Sequence, residues 1–431
     1  RNIRLVDHWV AQEERVMRYK RQAAEAFARA NRMDKRVWGK PGAKIGFVAA
    51  GKNWLDLTYA LGALGIDEAR AEALGLTTYK VAMTWPLDVE SYREWADGLD
   101  LIVVVEEKRK LIEVQLKEFI FNERQGRRVY GEFDGAGGYL FPSWGSVDPV
   151  DAARKIGRIL QAEGRGSEEL DGRLAQLDEA VRADNAPEIA SRLPYFCSGC
   201  PHNSSTKVPD GSRAYAGIGC HFMVQWMDRE TQGITQMGGE GANWIGAAPF
   251  STRGHVFQNL GDGTYNHSGV QAIRAALMAG TTITYKILFN DAVAMTGGQK
   301  NDGDLSADQI VRELVAMGVA DVAVVHDPKE ELDLSVFPKD VDFFERQDMA
   351  AVQRKMSQVK GVSAIVYVQT CAAEKRRRRK RGQFPDPDQR VFINPDVCEG
   401  CGDCGVQSNC VSIVPLETPL GRKRAIDQSS C

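Results

Sequence analysis

The sequence predicts an α/β protein built on parallel sheets, and three observations support that fold class. From Lys44 onward, short apolar segments typical of buried strands alternate with segments of helical periodicity, an alternation that favours a parallel sheet covered on both faces. Two of the apolar segments end in polar residues, at Asp262 and Asn290, as strands do at the sheet edge where ligands bind. At 431 residues the chain is long enough for two or three domains.

The composition is that of an ordinary globular protein. The chain is 43% hydrophobic and 26% charged, with a net charge of −3. No apolar run approaches the ~18 residues of a membrane-spanning helix, and a slightly acidic chain is a poor candidate for nucleic-acid binding, so we expect neither partner. Because the sequence starts at Arg1 and ends at Cys431, we expect a fragment or a processed piece of a longer protein.

The first part of the chain is expected to hold one α/β domain between two helical segments. Residues 1–39 are interpreted as a helical linker, residues 40–147 as the α/β domain and residues 148–192 as a helical connector. The predicted strands are Ile45–Ala49, Tyr79–Met83 and Leu101–Val105, and the predicted helices are Leu55–Leu64 and Ser91–Ala96. The segment Gly46–Gly51 lacks the G-x-G-x-x-G fingerprint, which favours a structural role over dinucleotide binding.

A second α/β domain is predicted over residues 193–374. Its predicted strands are Tyr215–Ile218, Val256–Leu260, Ile283–Phe289, Val322–Val325 and Ala364–Val368. Residues 375–389 are interpreted as a basic linker, because Lys375–Arg381 is an uninterrupted basic run, and residues 390–431 as a cysteine-rich tail. Such a run is usually a solvated face, and docking of an acidic electron carrier is the functional alternative.

Polar side chains at two successive strand ends predict a metal–diphosphate site. Asp262 lies between Gly261 and Gly263 directly after one apolar strand, and Asn290 follows the next strand. Carboxylate and amide oxygens suit Mg²⁺, which commonly accompanies phosphate, and glycines let backbone N–H groups approach a diphosphate. With the downstream loop Thr296-Gly297-Gly298-Gln299, this arrangement predicts a site for Mg²⁺ and thiamine diphosphate.

Cysteines near the end of the chain resemble part of an iron–sulfur motif. Cys398, Cys401 and Cys404 have the consecutive spacing with which one loop wraps a 4Fe–4S cluster. Cys410 departs from the spacing expected of the fourth ligand, and Cys431 could begin the ligand set of a second cluster. Zinc and unpaired thiols are the alternatives, although zinc favours two separate C-x-x-C pairs.

A second group of cysteines consists of Cys197, Cys200, Cys220 and Cys371. A C-x-x-C pair followed by a single cysteine fits zinc, an iron–sulfur cluster or a redox dithiol, and the turn-rich setting of the pair disfavours the dithiol. Cys371 follows the last predicted strand, so it should return to the sheet edge that carries Asp262. Close cysteine spacing in a large chain favours metal over disulfides, and hence a reducing cytoplasm.

Five segments resemble the thiamine-binding part of the 2-oxoacid:ferredoxin oxidoreductases, most closely the large fused indolepyruvate form. They are PYFCSGCPHN, YAGIGCHFM, QMGGEGANWIG, NLGDGTYNHSG and FNDAVAMTGGQ. The resemblance implies a transketolase-like thiamine-diphosphate domain, preceded by a domain similar to the transketolase C-terminal domain and followed by a partial ferredoxin-like tail. It also implies that two family domains are missing from this sequence, including the pyrimidine-binding domain that carries the activating glutamate.

The resemblance assigns roles to individual residues. It makes the side chains of Asp262 and Asn290 and the carbonyl of Ala292 the ligands of Mg²⁺, and it places Thr296–Gln299 beside the diphosphate. It makes four residues the ligands of a proximal 4Fe–4S cluster: Cys197, Cys200, Cys220 and Cys371. In the ferredoxin-like tail the implied cluster ligands are Cys398, Cys401, Cys404, Cys410 and Cys431.

Titratable residues in the same motifs are candidates for proton transfer or substrate contact. The histidines are His202, His221, His255 and His267, of which His202 and His267 are our catalytic candidates. The third catalytic candidate is Glu240, in the glycine-rich segment MGGEG at the expected mouth of the cofactor site. The alternatives are a structural role for each histidine and a solvated loop carboxylate for Glu240.

The resemblance implies oxidative decarboxylation of an aryl 2-oxoacid, indolepyruvate, to the acyl-CoA. Electrons would pass through 4Fe–4S clusters to ferredoxin or a similar carrier, and coenzyme A would take the acyl group. The alternatives are pyruvate or a branched-chain 2-oxoacid as substrate, or an electron-transfer subunit with a vestigial thiamine site. We also expect a cytoplasmic homodimer that works with the remaining domains of the same enzyme.

Overall fold

The computed structural model describes residues 6–123, 126–184, 193–301, 303, 305–408 and 410–429. The chain divides into two compact units, Arg1–Ile189 and Ala190–Cys431. The predicted cluster ligand Cys431 lies outside the described residues. Within the described ranges, no helix has both the length and the apolar character that crossing a membrane requires.

The first unit is a five-stranded sheet with helices on both faces. Its strands are β1 (Lys35–Arg36), β2 (Ile45–Ala50), β3 (Leu76–Val81), β4 (Leu101–Val105) and β5 (Arg128–Tyr130), in the spatial order β1-β3-β2-β4-β5. Its helices are α1 (Trp9–Arg15), α2 (Arg21–Ala30), α3 (Gly51–Ala63), α4 (Glu68–Ala73), α5 (Val89–Ala96), α6 (Ile112–Ile120), α7 (Pro149–Ala162) and α8 (Glu168–Asp184). Strands β2 to β5 are parallel, and β1 runs antiparallel to β3.

Helices α7 and α8 pack into the first unit, where the sequence predicts a connector. Ile156 of α7 and Leu174 of α8 are buried in the same core as Ile45 and Phe47 of β2. The two helices are close enough that a Cβ on Gly157 would come within 2.6 Å of the Leu174 side chain. Residues 148–184 therefore complete one face of the sheet rather than leaving an apolar stripe exposed.

The second unit contains a seven-stranded sheet and a separate hairpin. Its strands are β6 (Ala214–Ala216), β7 (Thr231–Ile234), β8 (Val256–Gly261), β9 (Ile283–Phe289), β10 (Asp321–His326), β11 (Asp342–Glu345), β12 (Val362–Val368), β13 (Ile413–Thr418) and β14 (Gly421–Ile426). Its helices are α9 (His202–Ser205), α10 (Ala242–Ala247), α11 (Asp262–Thr264), α12 (Val270–Met278), α13 (Ala307–Ala316), α14 (Met349–Met356), α15 (Ala372–Lys380) and α16 (Asp403–Ser408).

All seven strands of the large sheet are parallel, in the order β11-β10-β12-β9-β8-β6-β7. Alternate residues of β9 bury opposite faces: Ile283 and Ile287 pack with α12 and α13, whereas Leu288 packs with α14. Because the strands are parallel, the carboxyl ends of all seven lie at one edge of the sheet. The α/β class and the parallel sheets are therefore as the sequence predicts.

The predicted strands are confirmed, with shifts at their ends. Leu101–Val105 and Ile283–Phe289 match the structure residue for residue. Strand β3 begins at Leu76, three residues earlier than predicted, because Thr77 and Thr78 are buried within the sheet although their hydroxyls are polar. Hydroxyl-bearing residues in a buried strand interrupt the apolar pattern from which strands are predicted.

Lys286 is a charged residue in the interior of the second unit. It lies on β9 with its side chain fully buried, and its Nζ donates to the Ser205 carbonyl at 2.6 Å and to Gln353 Oε1 at 3.2 Å. These bonds tie α9 and α14 to the central strand. Burial lowers the pKa of Lys286 to about 7.

Replacing Lys286 by methionine should change how stability depends on pH. An unfolded lysine has a pKa of about 10.4, so between pH 7 and pH 10 the unfolded chain binds more protons than the folded one, and stability rises with pH. The variant loses this dependence. The apparent Tm of the variant minus that of the unsubstituted protein should therefore be most positive near pH 7 and should decrease towards pH 10. Besides burial, the charge of Lys286 also helps to lower the pKa of His202 to about 4 and that of His221 to about 3, so its removal should affect these two groups below the pH range of the test.

Thermal denaturation from pH 7 to pH 9.5 measures this effect, with the exposed Lys360→Met as control. Parallel pH profiles for the Lys286→Met and unsubstituted proteins would contradict the expectation.

Candidate functional site

Three adjacent strands bring the predicted ligands to one sheet edge. Strand β9 lies between β8 and β12. Strands β8 and β9 lead directly into Asp262 and Asn290, and Cys371 lies three residues after the end of β12. The main-chain N–H of Asn290 donates to Asp262 Oδ2 at 3.2 Å, and the N–H of Cys371 donates to the Asn290 carbonyl at 3.0 Å. The three positions are therefore linked by hydrogen bonds in the order of their strands.

A cavity of about 380 Å³ opens at this edge. The strand ends and the loop after β9 form one side of it, and the segments around the cysteines of the second group form the other. Among the residues predicted from the sequence, those that line it are His202, Cys220, His221, Gly261, Asp262, Gly263, His267, Asn290, Ala292 and Thr296.

The carboxylate of Asp262 is buried and held by the backbone. It is 2% exposed; Oδ1 accepts from the Gly263 N–H at 2.9 Å, and Oδ2 accepts from the N–H groups of Asn290 and Asp291 at 3.2 and 3.0 Å. Burial raises the pKa of Asp262 to about 6, against the opposing effect of these hydrogen bonds. A cation in the cavity would stabilise the ionised carboxylate.

Several buried polar atoms around the cavity have no hydrogen-bond partner among the described residues. They are Asn290 Oδ1, Asn301 Oδ1, both amide atoms of Asn266, His202 Nδ1 and His221 Nε2. Leaving a buried polar atom unpaired costs about 1–3 kcal/mol, so such a concentration indicates a place for a polar ligand. Asn266 and Asn301 were missed in the sequence because isolated asparagines form no motif.

These atoms match the chemistry of the expected ligands. The unpartnered oxygen of Asn290 and the carboxylate of Asp262 are the hard donors that Mg²⁺ prefers. The close packing beside Gly263, where a Cβ would lie 3.0 Å from Asn301 Oδ1, shows why a glycine stands in this turn. The residues present therefore fit a cation with an associated diphosphate.

His202 and His221 form a buried pair on the cavity wall. Their ring centroids are 5.8 Å apart in an edge-to-face arrangement. Burial lowers the pKa of His202 to about 4 and that of His221 to about 3. Both imidazoles are therefore neutral near pH 7, with a ring nitrogen left available to a ligand.

Glu240 differs from the solvated loop carboxylate considered from the sequence. Its side chain is fully buried, Oε2 accepts from the Gly238 N–H at 2.8 Å, and Oε1 has no partner among the described residues. Burial raises the pKa of Glu240. Glu240 does not line the cavity. It lies near His221, which does, since a Cβ on Gly217 would be 3.1 Å from Glu240 and 3.2 Å from His221.

The other two histidines occupy different places. His267 is exposed, lines the cavity and pairs through Nδ1 with the Ser268 hydroxyl at 2.7 Å. His255 precedes β8, so it lies at the opposite edge of the sheet, where Nε2 pairs with Thr284 Oγ1 at 2.7 Å. The structure thus separates His255 from the candidate site.

The loop Thr296–Gln299 is a tight turn folded back on the residues after β9. The Val293 N–H donates to the Gln299 carbonyl at 2.8 Å, and the Thr296 hydroxyl donates to Gln299 Oε1 at 2.8 Å. Gly297 and Gly298 have φ values of +120° and +76°, which glycine adopts without strain. Only Thr296 of these four residues is among those lining the cavity.

The second cysteine group shares one neighbourhood beside the cavity. Burial raises the pKa of the Cys200 thiol, and the charges of Cys197, Cys220 and Cys371 raise it further, so the other three thiols lie within electrostatic range of Cys200. Burial also raises the pKa of Cys220, to about 11. Across the described ranges, however, no three His, Cys, Asp or Glu side chains are grouped tightly enough to hold a metal ion.

Cys398 and Cys401 lie on a loop that packs against the β13–β14 hairpin, and Cys404 lies in α16. Lys423 Nζ donates to the Cys398 carbonyl at 2.7 Å, and Gly400, at φ +71°, sits so close that a Cβ would lie 2.3 Å from the Arg422 carbonyl oxygen. Burial raises the pKa of Cys410, but hydrogen bonding, first from the Ser198 hydroxyl, lowers it overall. Ser198 belongs to the Cys197–Cys200 loop, so the tail touches the second cysteine group.

The basic run is a helix, not the linker expected from the sequence. Residues Ala372–Lys380 form α15, and most of its cations are half-buried and engaged within the unit. The partners are Glu330 for Lys375, the Ser198 carbonyl for Arg376, Glu374 for Arg377, Asp291 for Arg378 and the Pro385 carbonyl for Arg379. The basic side chains of α15 therefore bind groups at the edge of the candidate site instead of forming a solvated face.

Two family models match the chain, one within each structural unit. Residues 35–184 match the indolepyruvate oxidoreductase domain, and residues 217–335 match the C-terminal TPP-binding domain of thiamine pyrophosphate enzymes. The second match contains Asp262, Asn290 and the cavity loops between them.

Relatives of known name resemble nearly the whole chain. It is 24% identical over 429 residues to the indolepyruvate oxidoreductase subunit IorA of Pyrococcus abyssi, covering 92% of this chain and 59% of that protein. The corresponding subunit of Methanothermobacter marburgensis is 23% identical over 393 residues, with 84% and 58% covered. The chain thus spans less than two thirds of the length of these relatives.

Among solved structures, a 2-oxoglutarate:ferredoxin oxidoreductase from Magnetococcus marinus is similar at a TM-score of 0.32 and 16% identity, over 49% of this chain and 76% of that one. So low a score supports no structural conclusion.

Substitution of Gly241 should destabilise the turn that carries Glu240. Gly241 has φ +90°, and a Cβ there would lie 2.5 Å from the Tyr285 hydroxyl, which donates to the Glu240 carbonyl at 3.0 Å. Gly241→Ala should therefore lower the free energy of unfolding by about 1–3 kcal/mol through backbone strain and overpacking. Denaturant unfolding monitored by circular dichroism measures the change.

The matched control is Gly246→Ala in α10, where a Cβ meets no atom within 4 Å. Alanine should stabilise that helix by about 0.5–1 kcal/mol. A Gly241→Ala variant as stable as this control would contradict the geometry.

Proposed function

We propose that this chain is a member of the indolepyruvate oxidoreductase family and forms the thiamine-binding part of an enzyme that oxidatively decarboxylates a 2-oxoacid. One observation carries the proposal: two residues line one cavity at neighbouring strand ends, Asp262 with a buried carboxylate and Asn290 with an amide oxygen that has no partner within the described part of the chain. The match of residues 217–335 to a TPP-binding domain supports thiamine diphosphate as the ligand.

In this proposal Mg²⁺ is held by the side chains of Asp262 and Asn290 and the carbonyl of Ala292. Such an ion would supply positive charge for a diphosphate, and the loop Thr296–Gln299 would lie beside that group. When bound, thiamine diphosphate supplies the carbanion chemistry that breaks the bond between the 2-oxoacid carbonyl and its carboxylate. The chain binds the cofactor and keeps water from the buried wall of the cavity.

The neighbouring side chains have different proposed roles. His202, neutral and buried, can exchange hydrogen bonds with a substrate oxygen, whereas exposed His267 can exchange protons with solvent at the cavity mouth. Glu240 is proposed to position the loop that ends in Gly241, because its carboxylate is buried and does not line the cavity. Substituting each of these three residues in turn can distinguish their roles.

Clusters bound by the cysteines are proposed to accept the electrons released when the 2-oxoacid is oxidised. Cys197, Cys200, Cys220 and Cys371 would hold a 4Fe–4S cluster beside the thiamine cavity, and a second cluster would be held in the tail by Cys398, Cys401, Cys404 and Cys410. The contact between Cys410 and Ser198 supports electron flow from the first site to the second. The expected partners are coenzyme A, ferredoxin or a similar carrier, and the remaining domains of a cytoplasmic, homodimeric enzyme.

The proposed substrate is an aryl 2-oxoacid, indolepyruvate. This choice follows the names of the relatives, and pyruvate or a branched-chain 2-oxoacid is the alternative. An electron-transfer subunit with a vestigial thiamine site is disfavoured, because a vestigial cavity has no reason to retain so many unpaired buried polar atoms.

Asp262→Asn should abolish magnesium-dependent binding of thiamine diphosphate in the full-length protein. Loss of the only carboxylate among the proposed ligands should weaken binding at least ~100-fold, more than the loss of an outer-shell partner. Isothermal titration calorimetry with and without Mg²⁺ measures the affinity for thiamine diphosphate. Retained magnesium-dependent affinity would refute the assignment.

The matched control is Asp327→Asn. Asp327 is a buried carboxylate that follows β10 at the same sheet edge, accepts from Gln369 Nε2 at 3.1 Å and does not line the cavity. This variant should bind thiamine diphosphate normally. Both variants should keep the iron of the tail cluster, because neither carboxylate is among its proposed ligands.

The substrate is tested by dye reduction with the full-length protein, 2-oxoacid and coenzyme A. Indolepyruvate should give faster, coenzyme A-dependent reduction than pyruvate, and equal or faster rates with pyruvate would overturn the substrate assignment. Iron–sulfur absorption without bound thiamine diphosphate by mass analysis would favour the electron-transfer subunit. Zinc in place of iron would remove both cluster proposals.

A further inference from the structure

Helix α15 is attached to the loop that carries the proposed magnesium ligands. It begins directly after Cys371, whose N–H donates to the Asn290 carbonyl at 3.0 Å. From the same helix, Arg378 Nη2 donates to Asp291 Oδ2 at 2.6 Å. Asp291 lies between Asn290 and Ala292 in the chain, so this ion pair is made to the middle residue of the proposed ligand loop.

Asp291 has a backbone conformation that requires support. Its φ of +55° lies in the left-handed region, which L-residues other than glycine adopt at an energetic cost, although aspartate tolerates it better than most. In this conformation the N–H groups of Asn290 and Asp291 both reach Asp262 Oδ2. Because φ of Asp291 sets the direction of the chain after these two N–H groups, relaxation to negative φ would turn Ala292 and its carbonyl away from their present place beside Asp262 and Asn290.

We propose that Arg378 is a positioning residue for magnesium binding, whose ion pair with Asp291 holds residues 290–292 in the conformation that presents the ligands to the ion. The inference rests on the proposed function and deepens it. Arg378 does not line the cavity, so it acts through Asp291 rather than by touching the cofactor. Glu374, which accepts from Arg378 Nε at 3.4 Å, helps to orient the guanidinium.

Arg379 provides a matched control on the same helix. It is half-buried like Arg378, but its Nε donates to the Pro385 carbonyl at 3.0 Å and its guanidinium lies 5.4 Å from the centre of the Phe384 ring. Arg379→Gln therefore removes one positive charge from α15 without removing a contact to the ligand loop.

The test measures the dissociation constant of thiamine diphosphate in full-length protein freed of cofactor, at limiting Mg²⁺. Arg378→Gln should raise the constant about fivefold, the effect expected for one half-exposed ion pair, and saturating Mg²⁺ should recover it. Arg379→Gln should leave the constant unchanged. Iron content and apparent Tm should match the unsubstituted protein in both variants, which separates loop positioning from a general loss of structure.

A double-mutant cycle tests whether Arg378 acts through Asp291, because Asp291→Gly removes the carboxylate of the ion pair and leaves the backbone free to keep its positive φ. Glycine adopts positive φ freely, so in an Asp291→Gly background Arg378→Gln should no longer change the constant. An undiminished effect in that background, or no difference between Arg378→Gln and Arg379→Gln, would overturn the inference and leave the proposed function standing.

Two further results complete the test. If Arg378→Gln fails to fold, Arg378→Lys replaces it as the test, because lysine keeps the charge but loses the guanidinium contact. This variant should raise the dissociation constant, but less than fivefold. No change in the constant would refute the need for the guanidinium contact. If the unsubstituted protein binds no thiamine diphosphate with Mg²⁺, the proposed function fails and the inference fails with it.

Discussion

The hydrogen bonds from two strand ends to one buried carboxylate determine the geometry of this site. Asp262, which follows β8, accepts from the N–H groups of Asn290 and Asp291, which follow β9. A buried carboxylate is unfavourable unless hydrogen bonds or a cation compensate for lost hydration, and here the backbone supplies part of that compensation. The oxygen donors are therefore arranged before any ligand binds, which lowers the cost of binding.

The parallel sheet places two kinds of chemistry at the same edge. Oxygen donors follow β8 and β9, and a thiol follows β12, the next strand across. The hydrogen bond from Cys371 to Asn290 joins the two sets directly. Helix α15 continues from Cys371 back over the ligand loop, so its cations meet Asp291, Glu330 and Ser198 instead of solvent. The edge is thus one connected structure rather than two independent sites.

The sequence predicted the strands better than it predicted the helices that cover them. Strands such as β9 are apolar throughout because both faces are buried, and this pattern is visible locally. Helix α15 has an almost entirely polar sequence, so periodicity could not distinguish it from a linker; its partners come from distant segments. Residues 148–192 were predicted to be helical, but only the structure shows that the apolar residues of α7 and α8 cover the sheet of the first unit.

The sequence alone determined the α/β class, the central strands, and the chemical type of the residues at their ends, because burial and turn formation leave local patterns. It also identified the two cysteine groups by their spacing. The tertiary structure decided which of these residues meet: it separated His255 from the cavity, buried Glu240 outside the cavity lining, and added Asn266, Asn301 and Arg378 to the surroundings of Asp262. Those relations depend on contacts between segments far apart in the chain, which no local pattern records.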